Sequence, residues 1–130
     1  MTTVNPWAVV AAVVVAFVAS AVLYGALGRR LAELSPAYAG DGRSPLATLG
    51  VELARNTVLA LVVAVLVARL GVTSAGGALG LALLLWVGVP VVVLTGSVFH
   101  ERVPALLAAI HAGDWLVKLA LVTLIIACWR

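Results

Sequence analysis

Residues 45–70, PLATLGVELARNTVLALVVAVLVARL, decide how the rest of the chain is read. The stretch opens on Ser44 and Pro45, a hydroxyl cap followed by the residue suited to the first helical position. It then stays mainly apolar for more than the ~20 residues a helix needs to cross a ~30 Å hydrocarbon layer. Yet it carries Glu52, Arg55 and Asn56 in its interior. A helix of spanning length with charges inside it sets two questions: what bundle it belongs to, and why the charges are there.

Working outward, three more runs of the same kind flank it. One extends from about Pro6 to Leu27, with Asn5 and Pro6 as cap and first residue; one from about Ser74 to Phe99; one from about Pro104 to Trp129. Gly71, Val72 and Thr73 make the second connection, and Phe99, His100, Glu101 and Arg102 the polar turn of the third, so neighbouring helices form antiparallel hairpins. The first connection, residues 28–44, is the one substantial loop. Pro36, Gly40, Asp41 and Gly42 are its turn residues, and Leu31 and Leu34 predict a short interfacial extension of the first helix. The fold class is therefore all-α: a polytopic membrane protein, one transmembrane domain over residues 1–130, with four transmembrane helices in an antiparallel bundle.

Composition agrees. Of 130 residues, 65% are hydrophobic and 10% charged, against roughly 45–50% and about 25% in soluble domains, and the mean hydropathy is +1.24. The excess apolar surface must face lipid. The net charge of +3 reflects arginines at loop ends, not a basic patch, so nucleic acid is not an expected partner. Cys128 is the one cysteine, which excludes an internal disulfide and a cysteine metal cluster. The run from Pro6 to Val18, followed by Ala19, Ser20 and Ala21, has features of a secretory signal. No Lys or Arg precedes it and it continues to Leu27, so it reads as an uncleaved first span.

Arg29, Arg30, Arg43 and Arg102 fall in the first and third loops, against Arg69 and Arg130 on the other side. The positive-inside bias therefore places those loops in the cytoplasm and both termini outside, with Trp7 and Trp129 in one interfacial belt. Small residues recur at four-residue spacing: Ala8, Ala12, Ala16 and Ser20 in the first helix, Gly76 and Gly80 in the third, Ala105, Ala109 and Gly113 in the fourth. Packing within one bundle accounts for them more simply than a self-association face. Gly88 and Pro90 predict a kink in the third helix, either a moving hinge or a static bend, because proline removes the backbone bond to the Trp86 carbonyl.

The interior charges are the candidate site. At 100° per residue, Thr48, Glu52, Arg55 and Asn56 fall on one face of the second helix, and His111, Asp114 and Lys118 on one face of the fourth. The two helices run in the same direction from Pro45 and Pro104. Glu52 and His111 thus share a depth of about 10 Å, and Arg55 and Asp114 one of about 15 Å. The spacing predicts cross-helix partners, Arg55 with Asp114 and Glu52 with His111 or Lys118. Unpaired charges here cost about 2.5–3.5 kcal/mol each on insertion scales, so pairing is required. Glu52, Arg55, Asp114 and Lys118 sum to zero, and His111 is the titratable member. Intramembrane ionisable residues point to a proton or solute pathway, and the plainer alternative is an ion-pair clasp that fixes helix register. Two histidines eleven residues apart supply no metal site, and no phosphate-binding glycine motif or nucleophile elbow is present. No catalytic residue, metal or cofactor is expected. Prolines 45 and 104 align at an offset of 59 with few accompanying identities, a weak signal for a repeat.

Asn5 and Trp7, then Tyr24, Gly25, Leu27, Gly28 and Arg29, then Trp86, Gly88, Phe99, Glu101, Arg102 and Pro104, and finally Ile110, Ala112, Gly113 and Trp129 carry a resemblance over nearly the whole chain. The sequence resembles an uncharacterised bacterial family of small four-helix integral membrane proteins, known as a domain of unknown function. The resemblance implies the four-helix fold and an inner-membrane location, and no activity. Where many members have Asn-like and Tyr-His-like residues in the fourth helix, this chain has His111 and Asp114-Trp115. The small multidrug-resistance exporters place their essential glutamate in helix one, which here has no acid, and fluoride channels are richer in Asn and Phe. The expected function is a small oligomeric transporter or permeation protein, a dimer because one bundle leaves little room for a pathway, acting on a proton or small solute. The alternative is a structural or accessory subunit in the bilayer. An intramembrane enzyme ranks third, for want of a nucleophile.

Overall fold

The computed structural model describes residues 3–40 and 42–130; Asp41, expected as a turn residue, lies outside the described residues. Six helices follow in order: α1 Pro6–Ala26, α2 Gly28–Leu34, α3 Pro45–Leu70, α4 Ala75–Trp86, α5 Val92–Glu101 and α6 Ala105–Cys128. A π-helical segment, Val87–Val91, joins α4 to α5. Four stretches are long and apolar enough to cross a membrane: Pro6–Ala26, Pro45–Leu70, Ala75–Glu101 and Ala105–Cys128. The protein is a multi-pass, four-helix membrane protein, all-α among the described residues.

Local signals set the helix ends. The Asn5 side chain accepts from the Trp7 amide at 2.9 Å, and the Ser74 hydroxyl from the Gly77 amide at 3.0 Å. Ser44 caps α3 more loosely, at 3.4 Å to the Ala47 amide. These bonds occupy N–H groups that the first helical turn leaves without partners. Gly71 ends α3 in the left-handed region at φ +67, where a Cβ would be strained. The third turn is tighter than expected. Phe99, His100 and Glu101 stay helical, and Arg102, at φ +55, turns the chain through Val103 and Pro104 into the next helix.

Pro90 is absorbed by the π segment, in which the missing amide and displaced carbonyls are spread over a wider turn. The extension predicted from Leu31 and Leu34 forms as a separate helix: the chain breaks at Leu27, and α2 tucks Leu31 inward until it is buried.

Helix α6 is the centre of the bundle and touches each of the other five helices. Helices α1, α3 and α6 pack mutually, while α4, the π segment and α5 lean on α6. The buried residues of α1 are Ala8, Ala12, Ala16 and Ser20, so this small-residue stripe serves close packing inside the bundle. The other two stripes do not. Gly76, Gly80, Ala105 and Ala109 are exposed, and a Cβ on Gly76, Gly80 or Gly113 would meet nothing within 4 Å. What α6 buries instead is Leu107, Ala108, Leu119, Val122, Ile126 and Ala127, together with the polar Asp114, Lys118 and Thr123. In the half of the bundle nearer the termini, Ala12, Ala16, Ala60, Val63, Val67, Val122 and Ile126 close into a dry core. The other half is different.

Candidate functional site

Toward the loops that follow α1 and α5, the mutually packed α1, α3 and α6 enclose a cleft of about 350 Å³. Helix α3 contributes Thr48, Glu52 and Arg55, α6 contributes His111, Asp114, Trp115 and Lys118, and α1 contributes Phe17, Ser20, Ala21 and Tyr24. Tyr38, from the single 3₁₀ turn Pro36–Tyr38 in the first loop, completes the wall.

At the inner end, Lys118 Nζ lies 3.1 Å from Asp114 Oδ2, and the Ser20 hydroxyl donates to Asp114 Oδ1 at 2.6 Å. Both charged residues are buried, at 4% and 3% exposure for Asp114 and Lys118. Such burial is tolerable only because each charge has a partner, and the short hydroxyl bond is of the charge-assisted kind. Lys118 also sits 4.9 Å from the centre of the Trp115 ring, where the ring face attracts a cation.

Nearer the mouth, the Tyr24 hydroxyl and His111 Nδ1 share a hydrogen bond at 2.5 Å. Tyr38 stacks parallel to Tyr24 at 6.2 Å, and its ring centre lies 6.3 Å from that of His111. Partial burial raises the Tyr38 hydroxyl above its ordinary ionisation range; the Glu52 carboxylate pushes the same way, against Arg43 and Arg55. On the opposite wall Arg55 and Glu52 pair at 2.7 Å, with about half of the Arg55 side chain exposed.

These placements correct the expected pairing. Arg55 does not meet Asp114, nor Glu52 His111 or Lys118. Each charge is matched within its own helix, Arg55 to Glu52 at i,i+3 and Lys118 to Asp114 at i,i+4. The bonds that do cross helices run from α6 to α1, through Ser20 and Tyr24. Asn56 does not join the other five on the cleft wall. It is buried at 1% exposure beside Ala60 and Val63 on the core face of α3, and its side-chain nitrogen has no hydrogen-bond partner among the described residues. Gly88 and Pro90 lie in the π segment, away from the cleft lining. Just below this level, the Trp86 indole donates to the Ala112 carbonyl at 2.8 Å and ties the α4 side of the bundle to α6.

Ser20, Tyr24 and Tyr38 are the site residues that the charge pattern left out. Ser20 and Tyr24 are spaced i,i+4 near the loop end of α1, which puts both on one face. That pair is the signal that was available. Tyr38 had none, because its position depends on the path of the loop.

The arrangement brings together a neutral sum of four charges, an imidazole, two phenols and two hydroxyls, in a cleft that stops at the dry core. No group of three or more His, Cys, Asp or Glu side chains able to hold a metal occurs among the described residues. No curated protein and no solved structure matches the chain. A family model does match, over residues 7–127, which is nearly the whole sequence. The chain belongs to the protein family of unknown function DUF1761.

Proposed function

We propose that this protein is a small membrane carrier or permeation protein that receives a proton or small solute in the cleft between α1, α3 and α6. The observation that carries this reading is that the cleft reaches the buried Asp114–Lys118 pair. A titratable pair at the blind end of an accessible cavity costs stability, and intramembrane ionisable groups are retained chiefly where they serve a pathway. The competing reading, a static ion-pair clasp between α3 and α6, is disfavoured by the same geometry; the ties that cross helices are the hydrogen bonds of Ser20 and Tyr24 from α1 to α6. Ion pairs made within one helix do nothing to hold two helices in register.

On this reading the cleft opens toward the cytoplasm, the side that Arg29, Arg30, Arg43 and Arg102 select by charge, with both termini outside a bacterial inner membrane. The dry core below Lys118 means that transfer across the membrane needs rearrangement, and a homodimer supplies a second surface for it. Proteoliposomes containing a pH-sensitive dye test the proposal. The wild-type protein should dissipate an imposed pH gradient, or take up small organic ions, faster than protein-free vesicles. The folded Asp114→Asn/Lys118→Met variant should not. Wild-type flux no greater than that of empty vesicles for protons and for small ions refutes the proposal.

A further inference from the structure

Beside the cleft, and sharing two of its wall residues, lies a second surface depression. Arg55 and Trp115 line both the cleft and a shallower groove of about 490 Å³ on the outer surface between α3 and α6. The rest of that groove is Ala54, Val58, Leu59 and Val62. Ala54, Val58 and Val62 are spaced i,i+4,i+8, so they form a straight apolar track about 12 Å long, leading from the level of Arg55 toward the C-terminal end of α3. Val58 and Val62 are more than half exposed, with nothing of this chain lying over them.

Arg55 stands at the head of this track. It gives one N–H to Glu52, and its other donors have no hydrogen bond among the described residues. A guanidinium at the end of a hydrocarbon track, half exposed and with donors to spare, is complementary to an amphiphile carrying an anionic head. Glu52, 2.7 Å from the guanidinium, limits the charge the site accepts. A second negative charge beside it is repelled, so a monoanion fits better than a dianion, and the planar fork of Arg matches a carboxylate.

We propose that the Arg55–Trp115 junction is a lateral portal that admits a single-chain amphiphilic carboxylate from the bilayer, its head on Arg55 at the wall of the cleft and its chain along Ala54, Val58 and Val62. The proposal rests on the cleft being a ligand site and names the class of substrate it takes. Head and tail have separate recognition surfaces, so they are separable by mutation.

The test uses the full chain in nanodiscs of zwitterionic phosphatidylcholine, titrated with 2-bromodecanoate or with 2-bromodecanol, whose bromine sits beside the head group at the level of Trp115. Bromine quenches tryptophan on contact, and Trp115 lines the portal. The carboxylate should quench saturably, and Trp115→Phe should remove the saturable part. Arg55→Gln should raise the half-quenching concentration at least tenfold for the carboxylate and leave the alcohol unchanged. Val58→Phe/Val62→Phe fills the track from an exposed face, spares the fold, and should weaken carboxylate binding by a similar factor. Quenching that rises linearly without saturation, is equal for acid and alcohol, or is untouched by filling the track overturns the proposal. Binding and flux are separate readouts. Absent flux with saturable quenching ends the permeation reading alone, and normal flux without saturable quenching ends the portal alone.

Discussion

Replacing Asp114 by Asn removes one charge from the inner end of the cleft and changes little in shape. The carbonyl of the new amide can still accept from Ser20, so that bond survives in weaker form. What is lost is the counter-charge 3.1 Å from Lys118, whose ammonium is left buried beside the Trp115 ring with no carboxylate in reach among the described residues. Breaking one side of a buried pair costs about 3–5 kcal/mol in soluble proteins, and a lone lysine at the centre of a span about 2.5–3.5 kcal/mol on insertion scales. The expected loss is therefore about 3 kcal/mol. Asp114→Asn/Lys118→Met removes both charges and should recover most of it, standing about 2 kcal/mol above the single variant. Reversible unfolding in mixed micelles titrated with dodecyl sulfate measures all three proteins. A single variant within about 0.5 kcal/mol of wild type, the range of an ordinary surface change, refutes the reasoning. So does a double variant no more stable than the single one.

Ser20→Ala deletes a hydroxyl donor to a buried carboxylate and should cost about 1.5–3 kcal/mol in the same assay; no loss would mean that the α1–α6 tie is idle. Asn56→Leu removes a buried amide nitrogen without a partner among the described residues, so it should be neutral or stabilising by about 1 kcal/mol. A loss as large as that of Asp114→Asn would place Asn56 in the polar network after all. Because the Tyr38 hydroxyl ionises at higher pH when folded than when unfolded, the unfolded chain releases this proton first. Stability is then flat below about pH 10 and falls as pH rises through and above it. Tyr38→Phe should make that alkaline fall shallower, and an unchanged slope from about pH 9 to 11 would contradict the burial of the ring.

How much of this could be read in the sequence depends on how local each signal is. Asn5, Ser44 and Gly71 cap helices by contacts a few residues away, and Pro6 and Pro45 open helices through their own φ. The helices therefore followed from the chain alone. Helical period put Glu52 and Arg55 on one face, and His111, Asp114 and Lys118 on another, and the structure turns both faces into the cleft. Matched depth along parallel helices does not say how far apart the facing side chains stand, and here the cleft lies between them. The cross-helix pairs failed for that reason, although i,i+3 and i,i+4 spacings of opposite charges were already in view. Asn56 differs from Arg55 by one position, or about 100° of rotation, enough to move it from the cleft to the core. The exposed Ala105 and Ala109 show the converse, since small residues mark where helices can approach and not where they do.

A cleft that admits water from the loop side and is sealed toward the termini exposes its wall to one aqueous phase only. Ala21 lines it, while Val22, one residue on at nearly the same depth, is 66% exposed and not part of its wall. With the exposed Cys128 replaced by serine, Ala21→Cys and Val22→Cys in sealed vesicles can be challenged with a membrane-impermeant thiol reagent from each side in turn. The prediction is labelling of Ala21→Cys from the side of the first loop only, and of Val22→Cys from neither side because it faces lipid. Ala21→Cys left unlabelled from both sides, or labelled equally from both, would contradict a one-sided cleft.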